Sequence, residues 1–110
     1  MGLEVKFRSG WENKFMVMLD NDPTVEGWWY EPFAIPYMSN KRTKTYRKYY
    51  PDFLVHYTNG KKALIEIKPS RKLLQKRNVK KILAAKDWCL KKECDFIVLT
   101  EHELKKIGVL

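Results

Sequence analysis

The chain has 110 residues, and its 22 lysine and arginine residues against 13 aspartate and glutamate residues give a formal net charge of +9. This length suits one domain, residues 1–110, and no more. Because 45% of the residues are hydrophobic and 14% are aromatic, the composition excludes a disordered basic tail and predicts a folded core. The sequence has neither a membrane-spanning apolar run nor the apolar stretch of a signal peptide, so we expect a soluble intracellular protein.

The positive charge favours a polyanionic partner, because binding to a polyanion releases counterions and the field steers the encounter. Nucleic acid is the leading candidate. An anionic membrane is less favoured, because no segment has the pattern of a basic amphipathic helix with a broad apolar face. Charge therefore indicates a class of partner and no activity.

The first part of the chain predicts one helix followed by short strands. The periodicity of Trp11, Phe15 and Leu19 predicts a helix over about residues 9–20. The stretch 25–38 is rich in aromatic residues and broken by prolines, which favours short strands over a helix. We expect the cationic stretch 41–48 to form an exposed loop or the tip of a hairpin.

The middle of the chain contains the clearest strand signals. Residues 49–57 and 62–68 predict two strands, and the sequence Thr58-Asn59-Gly60-Lys61 between them indicates a hairpin. Two turns are compatible with it. One is a two-residue Asn59-Gly60 turn, and the other is a three-residue loop with Gly60 in the left-handed conformation and a bulge.

The last part of the chain predicts a helix from the mid-seventies to Lys92, a buried strand at 95–99 and a terminal helical turn that opens with a Thr100–Glu103 capping box. A strand, a long helix and a second strand form a crossover unit, whose two strands run parallel. The predicted fold class is therefore α/β, with a mixed central sheet of about four strands, three antiparallel and one parallel, flanked by helices.

Side-chain alternation identifies a candidate site. Glu66 and Lys68 lie on one face of their predicted strand, and Asp52 begins the partner strand. With the three-residue loop Asp52 lies directly opposite Glu66, at about 5 Å between Cβ atoms, whereas the two-residue turn places Asp52 opposite Ile67.

Two carboxylates at that distance repel each other, and a hard divalent cation such as Mg²⁺ relieves the conflict because it prefers oxygen ligands. Lys68 could then hold an attacking water or stabilise the charge on a phosphorane. The combination is typical of metal-assisted phosphodiester hydrolysis.

The residues Pro51-Asp52 and Glu66-Ile67-Lys68 resemble the PD…(D/E)xK motif of the restriction-endonuclease-like nucleases. The chain as a whole is most similar to the N-terminal endonuclease domain of the transposase subunit TnsA. The segments that carry this resemblance recur in order over nearly the whole chain: Arg8-Ser9-Gly10-Trp11-Glu12, Tyr30-Glu31-Pro32-Phe33, Tyr50-Pro51-Asp52-Phe53-Leu54-Val55, Glu66-Ile67-Lys68-Pro69 and Val98-Leu99-Thr100-Glu101.

The resemblance implies a restriction-endonuclease-like core that cuts DNA. It implies that Glu12, Asp52 and Glu66 bind one or two Mg²⁺ ions with the carbonyl of Ile67, that Mn²⁺ can replace Mg²⁺, and that Lys68 assists the water. It also implies a prokaryotic cell or a virus-infected host, and a homodimer or a partner protein of a recombination or DNA-processing complex. The chain ends soon after this core, so we expect it to lack the additional C-terminal domain of TnsA, which puts a role in transposition in doubt.

The cations that flank the predicted site are candidate contacts to the DNA backbone. Each could instead belong to an ordinary solvated surface. The predicted contacts are Arg8, Lys14, Lys41, Arg42, Lys44, Arg47, Lys48, Arg71 and Lys72, and the basic stretch after Lys68 continues through Lys76, Arg77, Lys80 and Lys81.

Each site residue also has an ordinary structural interpretation. Glu12 could form a capping box with Ser9, Asp52 could be a turn residue, and Lys68 could be a surface lysine at a strand end. Glu66 fits such an interpretation least well, because its strand neighbours are apolar.

Alternatives to a TnsA-like enzyme are a catalytically inactive basic DNA-binding or assembly module, an enzyme like a Holliday-junction resolvase, and an RNA- or ribosome-associated protein.

Overall fold

The structure is a computed structural model, and it describes residues 10–110. Three helices and six strands follow one another along this part of the chain. They are α1 (Gly10–Asn21), β1 (Val25–Tyr30), β2 (Ile35–Asn40), β3 (Thr45–Tyr49), β4 (Phe53–Tyr57), β5 (Lys62–Ile67), α2 (Lys76–Lys92), β6 (Asp95–Leu99) and α3 (Glu101–Lys106), with a short 3₁₀ helix at Ser70–Lys72.

A four-stranded sheet in the order β1-β4-β5-β6 forms the centre of the fold. Strands β1, β4 and β5 are antiparallel, and β6 runs parallel to β5 after the crossover through α2. Strands β2 and β3 form a separate two-stranded hairpin. The predicted α/β fold class and mixed sheet are confirmed, and the arrangement is compatible with a restriction-endonuclease-like fold.

The central sheet is covered on both faces, which explains the nearly continuous apolar sequence of β5. On one face, Phe53, Val55 and Ile65 pack in a cluster with residues of α1 and α3. On the other face, Leu64 packs with residues of α2 and of the β2–β3 hairpin. Five of the six β5 residues are buried, and Glu66 is the charged residue among those five. A carboxylate in such a strand requires compensating partners.

The loop between β4 and β5 adopts the three-residue alternative. Gly60 has a φ of +87°, and the N–H of Tyr57 donates to the carbonyl of Lys61 at 2.9 Å. The ladder pairs Phe53 with Ile65 and Leu54 with Leu64. This is the register that places Asp52 opposite Glu66, so that prediction is confirmed.

Three details of the predicted elements are wrong. The hairpin tip predicted for 41–48 is confirmed at 41–44 and is wrong beyond it, because 45–49 pairs with β2 as strand β3. The predicted strand 49–57 is interrupted between β3 and β4, where Pro51 supplies no N–H for a ladder.

The third error concerns β6, which its apolar sequence predicts to be buried. It is an edge strand of the sheet, and Ile97 is 37% exposed. An apolar run predicts a strand, but it does not determine whether that strand lies in the middle of a sheet or at its edge. Within residues 10–110 no helix is both long and apolar enough to cross a bilayer.

The left-handed conformation of Gly60 leads to a prediction for stability. Gly60→Ala should lower the free energy of unfolding by about 1 kcal/mol, because an L residue is strained at positive φ although open space surrounds the added methyl group. Gly10→Ala provides the matched control. Its added Cβ also meets open space, and alanine favours a helix by up to about 1 kcal/mol. Urea unfolding measures both variants, and equal effects of the two would contradict the assigned turn.

Candidate active site

Asp52 and Glu66 meet at one end of the β4–β5 pair. The residue after Glu66 fixes the Asp52 side chain, because the N–H of Ile67 donates to Asp52 Oδ2 at 2.8 Å. The Asp52 carbonyl accepts the N–H of Glu31 at 2.8 Å, which holds the main chain. Asp52 is 4% exposed and Glu66 is 5% exposed. The two carboxylates are therefore buried together rather than directed to opposite faces of the sheet.

Glu12 joins this pair from the first turn of α1. It is 5% exposed, and the Tyr30 hydroxyl donates to Glu12 Oε1 at 3.2 Å. Glu12 also lies close enough to Asp52 for its charge to raise the pKa of the Asp52 carboxyl group. The capping alternative for Glu12 depends on Ser9, which lies outside the described residues. The three predicted acidic residues line one cavity of about 370 Å³, together with the predicted residues Ile67 and Lys68.

Glu66 has a partner at each carboxylate oxygen. Lys68 Nζ lies 3.4 Å from Glu66 Oε2, and the Tyr49 hydroxyl donates to Glu66 Oε1 in a short hydrogen bond. Sequence reasoning missed Tyr49. Its signal was weak, because Tyr49 belongs to the hairpin, and local sequence does not show that the hairpin packs against the end of β5.

Burial controls the protonation of the acidic pair. Burial, followed by the charges of Glu66 and Glu12, raises the pKa of Asp52 to about 9, although the Ile67 N–H opposes the shift. Burial also raises the pKa of Glu66, against the opposing effects of Tyr49 and Lys68. Burial and the neighbouring carboxylates also raise the pKa values of Tyr30 and Tyr49, so both hydroxyls remain protonated donors at neutral pH.

The donor set fits a hard divalent cation. All three acidic side chains offer oxygen, and the pKa of Asp52 and that of Glu66 are both raised, which is the condition that a bound cation relieves. Within residues 10–110 no three histidine, cysteine, aspartate or glutamate side chains already surround one point closely enough to hold a metal ion. The chemistry of the donors therefore matches a cation, and coordination by all three would require the side chains to adjust.

The predicted DNA-binding cations fall into separate groups. Lys48 and Lys72 line the acidic cavity, together with Lys81, whose Nζ lies 5.7 Å from the centre of the Tyr49 ring. Lys14 lies elsewhere, in a groove between α1 and the C-terminal residues. Lys41, Arg42 and Lys44 lie in the turn between β2 and β3. Arg47 is exposed on β3, and Arg71 is exposed in the 3₁₀ helix. Arg8 lies outside the described residues.

Comparison with known proteins adds two findings. Residues 22–101 match the family described as TnsA-like endonuclease N terminal. The chain is also similar to the head completion nuclease of Enterobacteria phage T4, with 29% identity over 127 aligned residues that take in 96% of this chain and 84% of the relative. The family match contains Asp52, Glu66 and Lys68 and begins after Glu12.

The raised pKa of Asp52 leads to a prediction for the metal-free protein. Because the folded state holds a proton at Asp52 that the unfolded state releases above its usual pKa of 3.8, the free energy of unfolding should fall as the pH rises from about 4 towards 9. Asp52→Asn removes this charge and keeps an oxygen that can accept the Ile67 N–H. The variant should therefore be more stable than the original protein at pH 8 and similar to it at pH 4.5.

Urea unfolding in EDTA at the two pH values measures this difference. Asp87→Asn is the control, since Asp87 is exposed on α2, and it should give the same small effect at both. If Asp52→Asn is destabilising at pH 8, burial and the neighbouring carboxylates do not raise the pKa of Asp52 as stated.

Proposed function

The chain belongs to the TnsA-like N-terminal endonuclease family and is a DNA endonuclease, and we propose that it hydrolyses phosphodiester bonds with a divalent cation at the cavity lined by Glu12, Asp52 and Glu66. The observation that carries this proposal is the pair of buried carboxylates on neighbouring strands with Lys68 Nζ beside one of them. A basic protein gains no stability from burying acidic groups in this way, so their arrangement supports a catalytic role.

The proposed metal ligands are Asp52, Glu66, the carbonyl of Ile67 and Glu12. Mg²⁺ is the proposed ion, with Mn²⁺ able to replace it, because an all-oxygen donor set suits both. When bound, such a cation neutralises charge on the scissile phosphate and lowers the pKa of water. Binding requires the deprotonated form of Asp52 and therefore competes with the proton that burial retains there.

The remaining side chains orient the reacting groups. Lys68 supports the attacking water and offsets developing negative charge, because its ammonium group lies at the cavity wall next to Glu66. Tyr49 is a positioning residue, since its hydroxyl fixes the Glu66 oxygen that does not face Lys68. Tyr30 is likewise a positioning residue, since its hydroxyl donates a hydrogen bond to Glu12 Oε1.

We propose that cationic side chains bind the DNA through its phosphates. The proposed contacts are Arg8, Lys14, Lys41, Arg42, Lys44, Arg47, Lys48, Arg71 and Lys72. We propose that the protein acts in the cytoplasm of a prokaryotic cell or virus-infected host, as a homodimer or with a partner protein. The similarity to a phage nuclease favours phage DNA processing over transposition.

Cleavage of DNA tests the assignment of the site. Asp52→Ala, Glu66→Ala and Lys68→Ala should each lower the rate of nicking by about 100-fold or more, because each removes a group that acts on the reacting phosphate or its nucleophile. The measurement is conversion of supercoiled plasmid and of a branched junction with Mg²⁺ or Mn²⁺, and EDTA should abolish both.

Two control variants separate catalysis from charge and folding. Lys62→Ala removes an exposed lysine at the opposite end of β5, and Glu26→Ala removes an exposed acid of β1. Both should cut DNA at the original rate. Cleavage that survives Asp52→Ala or Lys68→Ala would show that the site is wrong, and salt-dependent binding without any cleavage would support the inactive DNA-binding module instead.

Tyr49→Phe tests the positioning of Glu66. The change removes the hydroxyl that donates to Glu66 Oε1 and keeps the ring, so we expect cleavage to need about 10- to 100-fold more metal for half-maximal rate. Tyr46→Phe is the matched control on the same strand, because Tyr46 is exposed. An unchanged metal requirement for Tyr49→Phe would leave the hydroxyl with a structural role only.

A further inference from the structure

A second cationic groove lies outside the proposed catalytic cavity, between the β2–β3 hairpin and the start of α2. Its volume is about 240 Å³. We call it the basic groove, and it is lined by Tyr37, Ser39, Arg47, Lys76, Arg77 and Lys80. Four of these six residues are cations, and the described part of the lining contains no acid.

The structure holds the two walls of this groove together. Lys80 Nζ donates to the carbonyl of Ser39 at 2.6 Å, which ties α2 to the hairpin. At the start of α2, the Asn78 side chain donates to the Lys72 carbonyl at 2.8 Å. The Lys80 contact therefore joins the two walls of the basic groove, although the cations that line it repel one another.

The basic groove and the catalytic cavity are linked through residues that line more than one cavity. Tyr37 and Arg47 also line an intervening groove, which reaches Lys48. Lys48 in turn lines the catalytic cavity. Lys48, Arg47 and the cations at the start of α2 therefore follow one another from the acidic cavity to the basic groove.

The chemistry of the lining indicates what this surface binds. Like charges concentrated at one place are stabilised by a polyanion, and the absence of carboxylates from the described lining gives a cation no ligands there. Tyr37 is 6% exposed, so its ring is not available for stacking on a base. Contact with phosphates remains, and guanidinium and ammonium groups are suited to it.

We propose that the basic groove binds the sugar-phosphate backbone of the DNA on one side of the scissile phosphate, with Arg47, Lys76 and Arg77 as the phosphate contacts. This inference rests on the proposed function, because it assigns a path to the same substrate. It separates these cations from Lys48 and Lys72, which lie at the cavity itself.

Binding in EDTA, where no cleavage occurs, tests the basic groove apart from catalysis. The variant is the double substitution Lys76→Gln with Arg77→Gln, both at exposed positions of α2. Its matched control is Lys86→Gln with Lys92→Gln, which removes the same charge from exposed positions farther along the same helix. Fluorescence anisotropy with a labelled DNA duplex gives the dissociation constant over a range of salt concentrations.

We expect the groove variant to bind on the order of tenfold more weakly at 0.1 M salt than the control variant. A plot of the logarithm of the association constant against the logarithm of the salt concentration should become less steep by about 1.8, because each of the two phosphate contacts removed contributes about 0.9. Equal affinities and equal slopes for the two variants would overturn the proposal. Tighter binding of a matched RNA than of the DNA duplex at the groove would overturn the choice of partner.

A cleavage assay separates the two proposals. If the Asp52, Glu66 and Lys68 variants cut DNA normally while the groove variant loses affinity, the proposed catalytic site is wrong and the proposal for the basic groove is supported. If those three variants are inactive and the groove variant binds DNA like its control, the proposed catalytic site is supported and the proposal for the basic groove is wrong.

Discussion

The burial of Asp52 against Glu66 is the constraint on which the rest of the structure depends. Two carboxylates removed from water at neighbouring strand positions repel each other, and burial together with the charge of Glu66 disfavours the ionised form of Asp52. The fold keeps them in place with the Ile67 N–H, the Tyr49 hydroxyl and the Lys68 ammonium group. These donors compensate part of the desolvation cost, and the remaining imbalance is what makes the cavity suitable for a cation.

The loop between β4 and β5 determines whether the two carboxylates meet. The loop residue Gly60 sets which residues of β4 and β5 pair with each other. Its backbone has a positive φ, which glycine adopts without strain. A slip of one residue would move the apolar side chains of β4 to the other face. Core packing at Phe53 and Val55 therefore stabilises the same register that brings the carboxylates together.

Much of the fold and of the site follows from local sequence. Alternation and turn chemistry predict β4 and β5, and they limit the residue opposite Asp52 to Glu66 or Ile67, one for each possible turn. The structure decides between these two. The helix boundaries follow from periodicity, and the Thr100 capping box forms as predicted.

The remaining features depend on tertiary packing, which local patterns do not encode. Tyr49 contacts Glu66 only because the hairpin packs on the face covered by α2. The edge position of β6 is a property of strand order, and the apolar sequence of β6 is compatible with either an edge or a central strand. The same holds for the groove between the hairpin and α2, since its walls come from segments about 40 residues apart, as in the contact of Lys80 with Ser39.

The hairpin strand β3 connects two tasks through adjacent residues. Tyr49 holds a carboxylate inside the cavity, Lys48 lines the rim of that cavity, and Arg47 is exposed on the surface beyond it. The three residues are consecutive on one strand, so a shift of β3 along β2 would displace all three side chains together. The contact with Glu66 and the cationic surface therefore depend on the same register, and an insertion in this strand would disturb both.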